Sequence, residues 1–130
     1  MQQSILILLA EDEELIAFSL QQDLTDAGFQ VRHVSTGEQA IELLDQAKAE
    51  ISGVITDIRL GLSVDGWAVA RHAREFIPHI PIVYMSGDSA HEHTAYGVPD
   101  SIMLQKPFAS AQVITAISTL LNAVPSLHQP

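Results

Sequence analysis

The stretch Gly53-Val54-Ile55-Thr56-Asp57-Ile58-Arg59-Leu60 carries an aspartate from an apolar run into a loop that contains Gly61 and Gly66. A short β-branched run bounded by glycine-containing segments predicts a fully buried strand of a parallel sheet. Asp57 then lies where that strand ends, and in open α/β sheets ligands bind at the carboxyl ends of the strands. Aspartate is also common in loops and helix caps, so Asp57 becomes informative only together with other polar residues placed in the same way.

Three other polar segments follow, or end, an apolar run: Glu11-Asp12, Ser86 and Lys106. The whole chain alternates between such runs and helical patterns. The predicted strands are Ile5–Ala10, Gln30–Val34, Ile51–Thr56, Pro81–Met85 and Ile102–Leu104. The predicted helices are Glu13–Ala27, Thr36–Ala47, Trp67–Phe76, Ala90–Tyr96 and Ser110–Leu121, of which Ala90–Tyr96 is short and poorly patterned.

Five β–α repeats of about 25 residues each predict an α/β fold, a parallel sheet with helices on both faces. Right-handed crossovers then restrict the topology to a doubly wound sheet of five strands and five helices. We expect the strand order 2-1-3-4-5, with the switch point between strands one and three. This order brings Glu11-Asp12 next to Asp57.

The composition indicates one compact domain, with 130 residues, 47% hydrophobic and 17% charged. The net charge of −10 disfavours nucleic acid and anionic membrane surfaces as partners, because no basic patch can neutralise phosphates. Solubility alone accounts for most of this charge. The absence of cysteine excludes disulfides, thiol catalysis and cysteine-based zinc sites.

The apolar start of the chain does not predict a targeting or membrane segment. Residues Ile5–Ala10 are too few for the apolar region of a signal peptide, and they run directly into four acidic residues, Glu11–Glu14. No stretch approaches the length of a transmembrane helix. We therefore expect a cytoplasmic protein that does not bind membranes.

The carboxylates of Glu11, Asp12 and Asp57 would repel each other in a shared cleft unless a cation lay among them. A carboxylate-rich site made only of oxygen ligands suits Mg²⁺. The alternative is that Glu11 and Asp12 merely cap the first helix, whose dipole favours acids at its N-terminus.

Two further residues complete the predicted cleft. Lys106, before Pro107, would neutralise negative charge, and Ser86 would offer a hydroxyl donor to an oxyanion; the alternatives are an exposed surface lysine and an ordinary turn serine. A nucleophilic carboxylate, a divalent metal, a hydroxyl and an ammonium are the parts needed to form and hold an aspartyl-phosphate.

At this point the sequence resembles the receiver domain of two-component response regulators, over roughly residues 4–122. The matching segments, in order, are Glu11-Asp12, Asp57, Asp65-Gly66, Ser86 and Lys106-Pro107-Phe108. Each match is weak alone, and together they are specific. The resemblance implies a flavodoxin-like receiver fold and a phosphoprotein of a phosphorelay that does not act as a turnover enzyme.

The resemblance also implies a role for each site residue. Asp57 would accept a phosphoryl group from a phosphohistidine on a sensor histidine kinase or histidine phosphotransferase. Mg²⁺ would be bound by Asp12, Asp57 and the backbone carbonyl of Arg59, with Glu11 acting through water. Ser86 and Lys106 would bind the phosphoryl oxygens, and the Lys106–Pro107 bond would be cis, a structural feature of the family.

Two departures from the family pattern bear on the mechanism. The segment from Arg59 to Gly66 lacks the Met-Pro found in many relatives and is longer. Met103 stands where the family often has the Tyr or Phe that switches rotamer with the residue at Ser86. Methionine can reorient, but its two positions would differ less. The Arg59 side chain lies either over the phosphoryl group or in solvent.

Only nine residues follow Leu121, so we expect a receiver domain over residues 1–123 and a short tail over 124–130, with no output domain; the alternative is a fragment of a longer chain. Such a protein would act on a downstream protein target through helix four, strand five and helix five. The alternative is a receiver-like binding module that works without phosphorylation.

Two other classes remain open. A Mg²⁺-dependent phosphohydrolase would need a second acid two residues after Asp57, where this chain has Arg59. A flavin-binding module of the same fold class would need a hydroxyl- or glycine-rich phosphate loop after the first strand, where Glu11–Glu14 would repel phosphate.

Overall fold

The computed structural model describes residues 5–61 and 63–124. The five strands are β1 (Leu6–Ala10), β2 (Gln30–Val34), β3 (Ile51–Asp57), β4 (Ile82–Ser86) and β5 (Ile102–Gln105). The helices are α1 (Glu14–Asp26), α2 (Gly37–Ala47), α3 (Gly66–Phe76), α4 (His93–Tyr96) and α5 (Ser110–Ala123), with a 3-10 turn at Ala90–Glu92. The predicted tail beyond Val124, and residues 1–4, lie outside the described residues.

All four strand pairings are parallel, and the sheet order is β2-β1-β3-β4-β5, which confirms the predicted topology. Ala10 at the end of β1 is in register with Thr56, and Asp57 at the end of β3 is in register with Met85. The carboxyl ends of the three central strands therefore meet at one edge of the sheet.

Side chains of successive strand residues point to opposite faces, and the core is accordingly divided into two clusters. Leu8, Val54 and Tyr84 pack in the cluster that includes residues of α2 and α3. Ile7 and Ile55 pack on the other face, in the cluster that includes residues of α1 and α5. Both faces of the central strands are buried, as their nearly continuous apolar sequence predicts.

Local signals in the sequence set the starts of two helices. The Thr36 hydroxyl accepts a hydrogen bond from the backbone N–H of Gln39 at the start of α2, and the Gln39 side chain accepts one from the backbone N–H of Ser35. At the start of α3 the Asp65 carboxylate accepts from the backbone N–H of Ala68. Asp65 thus orients the helix that follows the Asp57 loop.

The predicted helix over Ala90–Tyr96 is reduced to the 3-10 turn and the four residues of α4. This matches its weak periodicity, since it has no apolar stripe long enough to support more turns. Within the described ranges, no helix has the length and apolar character needed to cross a membrane.

Candidate functional site

The three predicted carboxylates come together at the ends of β1 and β3. Asp57 is the last residue of β3 and is 6% exposed, and Glu11, directly after β1, is fully buried. Asp12 is exposed. One carboxylate oxygen from each of the three lies within 4.8 Å of the other two. The pairing of β1 with β3 produces this cluster, as the topology predicted.

Lys106 supplies the positive charge that faces these acids. Its Nζ lies 3.0 Å from Asp57 Oδ2, 3.2 Å from Glu11 Oε1 and 3.3 Å from Glu13 Oε1. Burial would lower the pKa of Lys106, but the hydrogen bond and charge of Asp57, with the charge of Glu11, outweigh it and raise the pKa. Lys106 is therefore a charged member of the cleft and not an exposed surface lysine.

The buried carboxylate of Glu11 is only partly stabilised by this lysine. Its Oε2 accepts a hydrogen bond from the backbone N–H of Glu13 at 3.0 Å. Its buried Oε1 has no hydrogen-bond partner in the described part of the chain, because the nearby Lys106 ammonium is close but not aligned for a hydrogen bond. Burial raises the pKa of Glu11 to about 7; the Glu13 N–H and Lys106 oppose this rise, and the charge of Asp57 adds to it.

These features fit a hard divalent cation. The carboxylates of Glu11, Asp12 and Asp57 share a single ammonium, and the buried Oε1 of Glu11 has the charge of that ammonium nearby but accepts no hydrogen bond to offset its burial. Mg²⁺ takes oxygen ligands and binds through one or two carboxylates while keeping several waters. The donor set Glu11, Asp12 and Asp57 is therefore a candidate magnesium site.

Ser86, the last residue of β4, is buried beside this cleft. Its Oγ accepts hydrogen bonds from the backbone N–H groups of Ser89 at 2.7 Å and Asp88 at 3.2 Å. A serine hydroxyl accepts through its lone pairs and keeps one proton to donate. The structure therefore places the predicted hydroxyl at the cleft, and it adds a tie to the loop after β4 that the sequence did not indicate.

The Arg59 side chain lies in solvent at the mouth of the cleft, where its Nε is 3.0 Å from Asp88 Oδ1. The bond between Lys106 and Pro107 is cis, as the resemblance implied. Gly66 allows α3 to begin close to the end of β3, since a Cβ at this position would lie 2.1 Å from the carbonyl oxygen of Asp57.

Met103 is half-buried and lies in register with Tyr84 of the neighbouring strand. Tyr84 is fully buried, and its hydroxyl accepts a hydrogen bond from the backbone N–H of Val98 at 3.1 Å. Its ring contacts Trp67, with centroids 4.7 Å apart, and His93, at 5.6 Å. An anchored tyrosine thus lies beside the position where the family often has a switching aromatic.

His33 of β2 also contacts the site, although no motif in the sequence indicates it. The ring of His33 is half-buried, and its Nε2 lies 2.8 Å from the carbonyl oxygen of Glu11. Because a carbonyl only accepts, Nε2 carries the proton and donates. The predicted strand order could have indicated this contact. It pairs β2 with β1, and His33 is in register with Leu9, two residues before Glu11.

A family profile described as "Response regulator receiver domain" matches residues 7–118 of this chain. The response regulator receiver protein CpdR of Brucella abortus is 31% identical over 119 residues, which cover 90% of this chain and 97% of CpdR. The probable transcriptional regulatory protein SilR of Salmonella typhimurium is 32% identical, over 89% of this chain and 50% of SilR.

The sensor kinase CckA of Brucella abortus is 27% identical over 92% of this chain but only 13% of its own length. The chain thus spans half of SilR, a small part of CckA and nearly all of CpdR.

Solved structures show the same fold. The crystal structure of a response regulator receiver protein from Sinorhizobium medicae WSM419 has a TM-score of 0.90 and 55% identity, and the match covers 93% of this chain and 97% of that one. The receiver domain of the sensor histidine kinase PA1611 from Pseudomonas aeruginosa PAO1 has a TM-score of 0.77 at 22% identity, over 93% of this chain and all of that one. That structure has a magnesium ion coordinated in its active site cleft.

The profile match extends from β1 into α5 and includes Glu11, Asp12, Asp57, Ser86 and Lys106. The match to CpdR extends over nearly the whole of both chains. On these grounds the chain belongs to the response regulator receiver domain family.

Proposed function

We propose that this receiver domain accepts a phosphoryl group on Asp57 from a phosphohistidine, with Mg²⁺ in the acidic cleft, and passes the signal on through protein contacts. The observation that carries the proposal is the arrangement around Asp57. Its carboxylate lies at the carboxyl end of a central strand, beside the orphaned oxygen of Glu11 and 3.0 Å from the Lys106 ammonium.

In the proposed step, a carboxylate oxygen of Asp57 attacks the phosphorus atom. The bond from phosphorus to the imidazole nitrogen of the donor breaks, and that nitrogen keeps the electron pair and takes up a proton. In the separate hydrolysis step, a water oxygen attacks phosphorus and gives up a proton to the solvent, and the bond from phosphorus to Asp57 breaks. The carboxylate leaves with the electron pair, and inorganic phosphate forms.

The residues of the cleft stabilise the negative charge of the phosphoryl oxygens during this step. The Lys106 ammonium donates a hydrogen bond to Asp57 Oδ2. After phosphorylation the ammonium would donate to one phosphoryl oxygen, and the Ser86 hydroxyl would donate to a second phosphoryl oxygen. Glu11, Asp12 and Asp57, with the Arg59 carbonyl, would hold Mg²⁺, which when bound supplies positive charge to the phosphoryl oxygens. Catalysis of this kind consists mainly of positioning and electrostatic stabilisation.

The proposed donor is a sensor histidine kinase or histidine phosphotransferase, and the proposed recipient of the signal is a protein target. The match to a segment of a protein named sensor kinase supports a place in two-component signalling. The short α4, with β5 and α5, is the proposed output surface, since a single helical turn is easily rearranged.

The structure disfavours the phosphohydrolase. That mechanism needs a residue two positions after Asp57 to protonate a leaving group, and here Arg59 is paired with Asp88. The hydrogen bond and charge of Asp88 raise the pKa of Arg59 further, so this guanidinium does not release a proton.

Intact mass after incubation with a small acyl phosphate and Mg²⁺ tests the proposal. A single phosphate adduct that is labile in base, and absent from Asp57→Asn and from a metal-free sample, is the expected result. No adduct on the native chain in the presence of saturating Mg²⁺ would overturn it and favour a binding module that works without phosphorylation.

A further inference from the structure

Arg59 and Asp88 form an ion pair across the mouth of the cleft. Arg59 Nε lies 3.0 Å from Asp88 Oδ1, and the two side chains are 74% and 61% exposed. Both line the same cleft of about 380 Å³ as the Asp57 carboxylate and the Ser86 hydroxyl. The pair therefore joins the loop after β3 to the loop after β4, directly beside the proposed phosphoacceptor.

The Arg59 side of this bridge is anchored. The residues on either side of it, Ile58 and Leu60, are 3% and 1% exposed. The carbonyl of Ile58 also accepts a hydrogen bond from the N–H of Gly66 at 2.7 Å. The backbone at Arg59 is thus held in place, while the long side chain is free to change rotamer without any movement of the main chain.

On the Asp88 side the loop is exposed at Gly87 and Asp88 and is buried at Ser89. A Cβ added at Gly87 would have no atom within 4 Å, so the loop is not packed there. Asp88 Oδ1 accepts from the Ser89 hydroxyl at 3.1 Å, and the N–H groups of Asp88 and Ser89 both donate to Ser86 Oγ. The Arg59 contact therefore stabilises the conformation in which the loop engages the Ser86 hydroxyl.

An ion pair this exposed is weak and easily exchanged. A phosphoryl group on Asp57 would bring a charge close to −2 and three strong acceptor oxygens to the same cleft. The guanidinium has five donors in a planar fork suited to such a group. Arg59 and Asp57 line the same cleft, so the guanidinium is near the place where these oxygens would appear.

We propose that Arg59 exchanges partners: it holds Asp88 while Asp57 is free, and it moves to the phosphoryl oxygens when Asp57 is phosphorylated, which releases the loop Gly87–Ser89. This inference rests on the proposed function. Asp88 and the phosphoryl group then compete for one guanidinium, so the ion pair disfavours phosphorylation and phosphorylation disfavours the ion pair. The loop that carries this change leads directly into the 3-10 turn and α4.

A double-mutant cycle tests the exchange. Beryllium fluoride with Mg²⁺ serves as the phosphoryl mimic, and its affinity is measured by calorimetry for the native chain, Asp88→Asn, Arg59→Gln and the double variant. All four proteins keep the backbone carbonyl at position 59, which is a candidate Mg²⁺ ligand. The expected result is an affinity about two- to fivefold higher in Asp88→Asn, because Arg59 is no longer held by a competitor. Arg59→Gln binds more weakly, and in that background Asp88→Asn has no further effect.

The pattern of the cycle separates this proposal from a simple charge effect. If Asp88→Asn increases the affinity equally with and without Arg59, Asp88 acts by its own negative charge and the exchange is wrong. Glu75→Gln, which neutralises an exposed acid near the other end of α3, should leave the affinity unchanged. If the native chain fails to bind the mimic in Mg²⁺, the proposed function falls together with the exchange; normal binding with no coupling overturns the exchange alone.

Discussion

Lys106 Nζ lies 3.0 Å from Asp57 Oδ2 and 3.2 Å from Glu11 Oε1, so one ammonium bridges the ends of the two strands at the switch point of the sheet. The lysine comes from the end of a third strand, β5. A cleft of three acids and one such bridge carries an excess of negative charge, and this imbalance is the basis of the first two predictions.

Glu11→Gln should stabilise the chain when Mg²⁺ has been removed with a chelator. The raised pKa of Glu11 means that the folded state holds its proton more tightly than the unfolded state. The stabilising contribution of Glu11 is therefore complete below pH 4.5, the usual pKa of its carboxyl, and it is lost as the pH rises to about 7. In urea denaturation at pH 8 the variant should gain about 1–2 kcal/mol over the native chain.

At pH 4 this advantage of Glu11→Gln should disappear, because the native carboxyl is then protonated. The variant should also show a smaller increase in Tm on addition of Mg²⁺, since one of the candidate ligands has been neutralised. An equal Mg²⁺ response in both chains would remove Glu11 from the metal site.

Lys106→Met should destabilise the metal-free chain by about 1–3 kcal/mol, because the carboxylates of Asp57 and Glu11 lose their only close cation among the described residues. Added Mg²⁺ should restore part of this loss by supplying positive charge to the same acids. Urea denaturation with and without Mg²⁺ measures both effects. Lys48→Met, at the other lysine of the sequence, is the matched control, and any loss of stability in that variant should be the same with and without Mg²⁺.

Gly66→Ala should destabilise the chain by about 2 kcal/mol or more and impair the proposed phosphorylation, because the new Cβ would lie 2.1 Å from the Asp57 carbonyl oxygen. In an open helix, glycine to alanine would be stabilising by about 1 kcal/mol. The control is Gly87→Ala, where a Cβ meets nothing within 4 Å and stability should change by no more than about 0.5 kcal/mol. Equal thermal unfolding of the two variants would contradict the close approach.

Tyr84→Phe should cost about 1–3 kcal/mol, because the buried N–H of Val98 loses its acceptor. Burial raises the pKa of Tyr84 from its usual 10.0, so the folded state retains the phenolic proton. This contribution to stability is complete below pH 10.0 and is lost as pH rises above it. Urea midpoints of the native chain should therefore fall more steeply above that pH than those of Tyr84→Phe.

The fold and the core of the site follow from local features of the sequence. Apolar runs and helical periodicity located all five strands and four full helices within a few residues, because burial on a sheet or helix face repeats along the chain. Parallel pairing of β1 with β3 then brought Glu11 and Asp12 to Asp57, since polar residues that follow neighbouring strands share one edge of the sheet.

Other features depend on packing between distant segments. Arg59 and Asp88 are 29 residues apart, and Tyr84 and Val98 are 14 apart, on loops and strands whose relative positions no local pattern encodes. The same holds for the contact of His33 with the Glu11 carbonyl, across 22 residues.

Residue types along the chain thus indicate which strands form and which groups stand at their ends. Which oxygen a donor reaches, and which charge remains unpaired, depends on rotamers and loop paths that form only when the two faces of the sheet are packed. Glu11 illustrates the difference: its place after β1 follows from the sequence, and its orphaned oxygen appears only when Glu13 and Lys106 are positioned around it.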